Sequence, residues 1–571
     1  MINIQNEIIK KFPKLSTRSD LFKKSLFKIA QKIVHEDSIN NFLEENSHLD
    51  GFEFVEAVLD HFQFDFSYSS NDIENIPSTG RVVIIANHPL GALDALCLLK
   101  LIGKIRKDVK IVANNFLADI NAINSLFIKV DTFKKKQSKE TIKQIYESLN
   151  SEEAIVIFPA GEVSRVSPTG IKDGKWKKGF LQFAKKTNSP ILPILVDAKN
   201  SKLFYTVSIL NKTFSTLLLS DEMFKQKDKN VSIKIGKLIS SKDTSPKNLE
   251  NKELLQIYKK HLYSLKKGKK TFFTTQNAIA HSDNIRLIKK ELQSAQILGK
   301  TTDGKIIYLY NYMPNSSILK EIGRLREISF RKVNEGVNKK RDTDKYDKYY
   351  QHIILWDEFE LEIVGSYRIG DAKKILNDYG YEGFYTHTLF RFQNQFDEKL
   401  ENSIELGRSF VQPKYWGSRA LDYLWFGIGA YLKANPHIKY MYGPVTLSGT
   451  LPTEAQNLII KFYSYYFAPK IKFIEEVQQF KYTSKKIDKS DMLAFANYNN
   501  YKNDLKSLKK NLKTMNCSIP TLYKQYSELC DEGGVEFHGF NIDPSFSNCI
   551  DGFILVDVNK IKESKKARYI Q

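Results

Sequence analysis

Cysteine is scarce in this chain: Cys97, Cys517, Cys530 and Cys549 are the only four in 571 residues. Their spacing is irregular and none forms a Cys-x-x-Cys pair, which excludes a disulfide framework and points to a reducing cytoplasm. Long apolar runs are missing too. A spanning helix needs roughly 18 consecutive apolar residues, and the best stretch, Tyr423 to Leu432, is about half that length. Contact with a membrane is therefore expected to be peripheral, at the inner face of the cell membrane. The first residues show no basic segment followed by an apolar core and a small-residue cleavage site, so export is not expected. No repeat of fixed period is visible, which rules out a solenoid. No cluster of His, Cys and carboxylates has ligand spacing, and no metal is expected. Zinc-finger spacing, an RNP-like aromatic motif and a basic helix-turn-helix signature are all absent, which counts against nucleic acid as a partner.

What is present is apolar, aromatic and basic. A hydrophobic fraction of 42%, with 29 Tyr and 37 Phe against 16 Pro, is the composition of an ordered globular protein. Hydrophobic cores stop growing near roughly 250 to 300 residues, so this length predicts two sizeable domains. Lys and Arg number 87 against 65 Asp and Glu, a net charge of +22. That excess draws the chain to something anionic, and charge alone does not rank nucleic acid, an anionic bilayer face and an acidic carrier protein. A solvated basic surface is the alternative.

The segment holding Leu21, Phe22, Leu26, Ile29, Ile33 and Val34 among Lys23, Lys24, Lys28 and Lys32 has a helical period with one apolar and one basic face. Such a helix packs on its own domain or lies in a lipid interface. Three short apolar runs, Arg81 to Ala86, Ala154 to Phe158 and Pro190 to Val196, read as buried strands. Helix-compatible stretches lie near Asp94–Ile102, Lys139–Leu149 and Lys178–Lys186. The alternation predicts an α/β domain, whose chemistry sits where strands end, as His88 and Glu162 do. From Lys225 to about Asp303 the sequence turns Lys-rich and polar. We read residues 1–270 as one domain, 271–303 as a linker and 304–571 as a second domain. The second opens with strand-like runs at Lys305–Tyr310, His352–Trp356 and Glu362–Arg368 and continues into a long helix-compatible stretch, Ser418 to Ala434.

Asn87-His88-Pro89-Leu90-Gly91-Ala92-Leu93-Asp94 follows a strand and opens a helix. A His acting as general base on a hydroxyl needs an orienting carboxylate, which fixes the ring tautomer and stabilises the imidazolium that forms. A strand-to-helix turn can bring His88 and Asp94 together. Downstream come Phe158-Pro159-Ala160-Gly161-Glu162-Val163-Ser164-Arg165 and Trp176-Lys-Lys-Gly-Phe180.

Together these pieces, from about Ile76 to Val196, resemble the lysophospholipid acyltransferase family. The resemblance implies that His88 and Asp94 activate an acceptor hydroxyl for attack on an acyl thioester, and that Gly161 and Glu162 belong to the acceptor site. It also implies a place there for Asn114, in the family's second motif. The His-to-Asp spacing is one residue longer than the family's usual one and resembles its ornithine-lipid O-acyltransferase branch. Ala160 stands where the family has a glutamate. Arg165 is the candidate cation for an acceptor carboxylate or a thioester phosphate, with a surface ion pair as the alternative.

In the second half, Glu321-Ile-Gly-Arg-Leu-Arg-Glu-Ile-Ser-Phe-Arg331 is followed by Asp344, Asp347, His352, Gly365-Ser-Tyr-Arg368 and Glu405-Leu-Gly-Arg-Ser-Phe-Val-Gln-Pro413. This order, from about Ser317 to Val558, resembles the ornithine N-acyltransferase and haemolysin-like group, a GNAT relative. A protonated amino acid must lose a proton before it attacks a thioester, and Glu405 is the candidate base. Asp347 is the candidate for holding the acceptor's amino group. Arg368 and Arg408 are candidates for its carboxylate or for donor phosphates, or these residues form a buried structural network.

GNAT folds usually seat the donor pyrophosphate at a helix N-terminus. The matching loop here, Lys414-Tyr-Trp-Gly417-Ser-Arg-Ala420, lacks one of the usual glycines. No resident cofactor is expected, and the co-substrate is acyl-ACP or acyl-CoA. Acyl carrier protein is favoured as donor, since its acidic surface suits the net charge.

The fold expected is thus a glycerolipid acyltransferase-like α/β domain followed by a GNAT-like α+β domain. The fusion resembles the bifunctional ornithine lipid synthases. In these the C-terminal part N-acylates ornithine with a 3-hydroxyacyl group and the N-terminal part esterifies that hydroxyl. The alternatives are the same synthesis on glycine or lysine, and a phospholipid acyltransferase with a non-catalytic second domain.

Overall fold

The computed structural model describes residues 5, 8–9, 20–114, 120–130, 138–168, 170–210, 212–241, 249–268, 273–481 and 500–570. The chain divides into two units, Met1–His281 and Ser282–Gln571.

In the first unit the described strands are β1 (Asp65–Ser67), β2 (Val82–Ala86), β3 (Val109–Asn114), β4 (Phe127–Val130), β5 (Ala154–Ile157), β6 (Arg165–Ser167), β7 (Gly170–Lys172), β8 (Ile191–Asp197), β9 (Asn230–Ile235), β10 (Leu238–Ile239) and β11 (Thr275–Gln276). The main path of its sheet runs β1-β9-β8-β2-β5-β3-β4. Strands β8, β2, β5, β3 and β4 run parallel to one another, and β9 pairs antiparallel with β8.

Parallel strands buried on both faces read as continuous apolar runs, because helices cover each side. Val82, Ile84 and Ala86 face one core, with Leu96 and Leu99 of a helix at Ala92–Gly103. Val83 and Ile85 face the other, with Ile145, Phe180 and Tyr258. The helices used below are α1 (Asp20–Val34), α2 (Gly51–His61), α3 (Ala92–Gly103), α4 (Lys139–Asn150), α5 (Gly179–Thr187), α6 (Lys202–Leu210), α7 (Lys212–Phe224) and α8 (Asn251–Ser264). The expected α/β arrangement is borne out. Helix α1 buries Phe27, Ala30 and Val34 in a small cluster of its own and packs against α7.

The second unit is built on one sheet of β12 (Gln296–Lys300), β13 (Ile306–Asn311), β14 (Gln351–Asp357), β15 (Glu362–Asp371), β17 (Ser403–Val411), β18 (Tyr440–Leu447), β20 (Val535–Asp543) and β21 (Cys549–Asp557). The order is β12-β13-β14-β15-β17-β18-β21-β20. A separate two-stranded ribbon joins β16 (Phe390–Phe392) to β19 (Ile474–Glu476). Pairing is antiparallel except between β17 and β18, where Ser403 to Glu405 pair in parallel with Tyr440 to Tyr442 and no further. Beyond that point β17 continues against β15 and β18 against β21, so the two strands part. Gly443 marks the split, since a Cβ there would lie 2.0 Å from the Leu406 carbonyl oxygen.

Helices α9 (Ile285–Leu292), α10 (Ser317–Lys332), α11 (Ala420–Ala434) and α12 (Thr453–Tyr466) complete the layers used below. The apolar stretch from Tyr423 to Leu432 is the buried face of α11.

The stretch expected to be a linker is corrected by the structure. Helix α9 and strand β12 both fall within 271–303 and belong to the second unit. Ile288 and Leu292 bury against Ile318, Ile322 and Leu325 of α10. The composition misleads because α9 shows basic residues to solvent and β12 is a mostly exposed edge strand without apolar alternation. No helix among the described residues is long and apolar enough to cross a membrane.

Candidate active sites

In the first unit, β2 delivers His88 and the first turn of α3 delivers Asp94. Asn87 pins the turn by exchanging two hydrogen bonds with the Val196 backbone on β8, at 2.7 and 2.8 Å. Gly91 stands at φ +93°, a left-handed turn that L side chains rarely adopt. This bend lets the Asp94 Oδ2 accept from the backbone N–H of Leu90 at 2.7 Å and of Gly91 at 3.1 Å. The same oxygen lies 3.2 Å from His88 Nδ1. The His88 ring stacks on Phe158, centroids 4.1 Å apart.

Burial pushes the Asp94 carboxyl above its ordinary range, against the pull of His88 and the two backbone N–H groups. The carboxylate is fully buried and the imidazole is 20% exposed. With Nδ1 turned to Asp94, Nε2 is the ring nitrogen on the side away from the carboxylate.

Asp173, which sequence reasoning passed over, holds this loop from beneath. It accepts from the His88 backbone N–H at 3.2 Å, the Ser164 hydroxyl at 2.6 Å and the Trp176 indole at 3.0 Å. Ser164 N–H donates to the His88 carbonyl at 2.7 Å, tying the β5–β6 loop to the β2–α3 turn.

Gly161 and Glu162 sit in the loop before β6. A Cβ on Gly161 would come 3.1 Å from Lys177 Nζ, and Glu162 approaches Arg165 Nε at 3.5 Å. Arg165 does not present a free guanidinium. Its Nη1 donates to Ser208 of α6 and, at 2.8 Å, to Ser215 of α7, so it clamps the helical hairpin to the loop. Asn114 ends β3, and its side chain lies outside the described residues.

In the second unit a polar network is built where β14, β15 and β17 meet the segment before β14. Asp347, fully buried, accepts from Arg326 at 2.9 Å, from Arg368 at 3.1 Å and from the Asp344 backbone at 2.9 Å, with His352 Nε2 3.7 Å away. Burial alone would raise the Asp347 carboxyl. Arg326 and Arg368 outweigh it and hold it well below the usual carboxylate range. Burial and the neighbouring Arg326 hold the His352 imidazole down to about 3, so it is neutral. Both oxygens of Asp347, the candidate for holding the acceptor's amino group, thus accept hydrogen bonds from the protein.

Arg368 donates through Nη1 to Asp344 at 2.6 Å as well, and its Nη2 is buried without a hydrogen bond. Arg408 sits at φ +48° on a β-bulge, where β17 slips register against Ser366 and Arg368. Such bulges re-aim side chains. The Arg408 guanidinium lies over Tyr385 at 4.7 Å, 3.7 Å from Asp342 Oδ2 and 3.6 Å from Asp344 Oδ2. Neither of those oxygens, nor Arg408 Nε, has a hydrogen-bond partner.

Glu405 is placed differently from an open base. Its Oε1 accepts from the Thr386 N–H at 2.7 Å and hydroxyl at 2.6 Å, and Oε2 accepts from the Tyr350 hydroxyl. Burial raises its carboxyl above the ordinary range in spite of those donors.

At the head of α11, Gly417 takes φ +80°, and Asp422 in the first helical turn is held by Arg568 at 2.6 Å and Tyr569 at 2.8 Å. A carboxylate already answers part of that helix dipole. Among the described residues no group of three or more His, Cys, Asp and Glu is arranged to hold a metal ion.

The chain was then compared with known proteins. A family model described as acyltransferase matches residues 8–271, and one described as acetyltransferase (GNAT) domain matches 325–426. The glycine N(alpha)-acyltransferase of Phocaeicola vulgatus is 31% identical over 299 residues, which cover 50% of this chain and 90% of that one. The lyso-glycine lipid O-acyltransferase of the same organism is 31% identical over 214 residues, 36% of this chain and 76% of that one. The chain belongs to the aminolipid acyltransferases. The L-ornithine N(alpha)-acyltransferase of Brucella abortus is 30% identical over 135 residues, 22% of this chain and 46% of that one. The resemblances read from each half of the sequence are borne out, and the aminolipid acyltransferase carries two domains of different folds.

Three further carboxyls of this acyltransferase drew no candidate role from the sequence: Asp543 and Asp551 on the two last strands of its sheet, and Glu335. Burial, with Asp543 beside it, pushes the Asp551 carboxyl from 3.8 up to about 7. Burial and Asp551 likewise push Glu335 up to about 7.

Between these pH values the folded chain holds a proton on Asp551 that the unfolded chain has released, so stability falls as pH rises from about 4 to about 7. Asp551→Asn keeps an acceptor for the Thr446 hydroxyl and removes the charge. The variant is expected to melt higher than wild type at pH 8, by on the order of 1–3 kcal/mol, and to match it near pH 4. Thermal melts across that range check the sign.

Proposed function

We propose that the chain builds a diacylated amino acid lipid in two steps and that the amino acid is glycine. The observation that carries this reading is the set of unanswered groups around Arg408. Asp342 Oδ2 and Asp344 Oδ2 lack donors while Arg408 Nε and Arg368 Nη2 lack acceptors. An amino acid brings one ammonium and one carboxylate, the pair of charges that complements them.

The ammonium loses its proton through the Tyr350 hydroxyl to Glu405, whose raised affinity for a proton suits a base working near neutrality. The freed amine attacks the carbonyl carbon of a 3-hydroxyacyl thioester, the C–S bond breaks, and the thiolate takes up a proton. In the other unit His88 Nε2 removes the proton from that 3-hydroxyl, the oxygen attacks a second thioester, and the imidazolium returns the proton to the leaving thiolate.

Glycine as acceptor is supported by similarity to glycine-lipid enzymes in both halves, where ornithine was the expectation from sequence. Ornithine is the second reading. Asp551 and Glu335 have no ion pair of their own among the described residues, and they would answer a side-chain ammonium.

The donor in this reading is an acyl carrier protein rather than coenzyme A, with no resident cofactor. Support comes from the single glycine of the loop before α11, from Asp422 in its first turn and from the +22 charge. The site of action is the cytoplasmic face of the membrane, where the lipid product resides. Expression in a bacterium that makes no aminolipid, followed by lipid mass spectrometry, tests the reading. A diacylated lipid whose fragments release glycine is expected. Release of ornithine would select the second reading, and absence of any aminolipid would sink both.

A further inference from the structure

Helix α6 carries apolar residues on its exposed side as well as its buried one. Phe204, Tyr205 and Ser208 are buried on one face, yet Leu203 is 56%, Ile209 71% and Leu210 82% exposed on the other. Leu203, Val207 and Leu210 recur at helical spacing and make a stripe that ends, with Ile209, at the tip of the α6–α7 hairpin. A helix of this kind in a water-soluble domain is normally covered on both sides.

The charges around the stripe have one sign. Lys199 and Lys202 flank it and are exposed, and Lys24, Lys28 and Lys32 line the outer side of α1, which packs on α7. Helix α6 has no acidic residue, and α1 has none from Lys24 to Val34. The two acids of α7 are spent inside the protein: Asp221 on His35 and Lys225, Glu222 on Ser201.

The hairpin is also tied to the first site. Ser208 and Ser215 hold Arg165, and Asn200, just before α6, donates to the Pro89 carbonyl at 3.0 Å. Whatever holds the hairpin therefore sets where His88 stands.

We infer that the outer face of the α6–α7 hairpin is a docking surface for an anionic phospholipid bilayer, with Leu203, Ile209 and Leu210 entering the interface and the flanking lysines meeting its phosphates. Exposed apolar residues ringed by lysine are the chemistry that an anionic lipid surface recognises. The inference deepens the proposed function, since acceptor and product of the first site carry acyl chains.

The test is co-sedimentation of the full chain with phosphatidylcholine vesicles, with and without phosphatidylglycerol. Wild type is expected to partition onto the phosphatidylglycerol vesicles. The triple variant Leu203→Ser, Ile209→Ser, Leu210→Ser is expected to lose at least about tenfold in partition, while its thermal melt superposes on wild type, because these side chains are exposed. Ile471→Ser, an equally exposed apolar residue of the second unit at 67%, is expected to bind as wild type does.

Equal binding by the triple variant overturns the inference, and so does a wild type that ignores anionic vesicles. Loss of self-association or of carrier-protein binding in the triple variant, with vesicle partition unchanged, overturns it in favour of a protein partner. Partition is read without catalysis. A chain that docks through the hairpin but makes no aminolipid leaves this surface standing and sinks the functional reading alone.

Discussion

In cells that make no aminolipid of their own, the His88→Ala chain is expected to accumulate a singly acylated amino acid and to lose the diacylated lipid by roughly 10²- to 10⁴-fold, the contribution of a positioned general base. The loss follows from the geometry. The His88 ring is stacked on Phe158 and has Nδ1 3.2 Å from a carboxylate that two backbone N–H groups hold in place. Alanine leaves that frame standing and removes only the proton acceptor. Glu405→Ala is expected to give neither lipid, because the amide must form before its hydroxyl chain can be esterified. Lipid extracts analysed by mass spectrometry separate the outcomes. Diacylated lipid at wild-type level from both variants would refute the assignment of both centres.

The second large effect is on stability. Asp347→Ala is expected to destabilise the second unit by about 3–5 kcal/mol, the cost of removing one partner from a buried ion pair. Arg326 and Arg368 are 0% and 1% exposed and both donate to Asp347. Arg368 would keep Asp344, whereas Arg326 would keep only the Asp342 carbonyl at 3.5 Å and the neutral His352 at 3.4 Å.

The pH dependence has a definite sign. The folded Asp347 carboxyl lies below its ordinary 3.8, so its contribution is complete above that value and fades as pH falls through the folded one. The gap between wild-type and variant melting temperatures should therefore be full at pH 7 and shrink below about pH 4. A variant that melts with wild type at pH 7 would show that the network carries no net stability.

Much of the first site was legible because its parts are neighbours in sequence. His88 and Asp94 flank one turn, and the left-handed Gly91 between them announces that turn by its residue type. Arg165 was legible as a cation but not in its role, since Ser208 and Ser215 lie far along the chain and have no motif of their own. Asp173 was missed for the same reason. It acts through the backbone of His88 and the Ser164 hydroxyl, contacts that leave no trace in residue spacing.

In the second unit Asp344, Asp347, Arg368, Glu405 and Arg408 could be picked out through the resemblance their order carries, but not apportioned. Asp342 went unremarked although it shares the Asp-x-Asp-x-x-Asp spacing with Asp344 and Asp347.

What the amino-acid order determined by itself is the kind of chemistry and the two folds that carry it. Apolar runs alternating with helical stretches select an α/β domain in one half, and in the other the order of the motifs carries the resemblance that implies a GNAT-like fold; both are local properties of the chain. The tertiary structure alone decided which of the ionisable groups are spent and which are left over. Asp347 and Glu405 have every oxygen engaged, whereas Asp342, Asp344 and Arg408 keep atoms unanswered. That distinction depends on burial and on partners brought from distant strands, and burial is a property of the packed chain that no stretch of sequence holds. The same holds for α6, where only the packing shows Leu203, Ile209 and Leu210 facing outward.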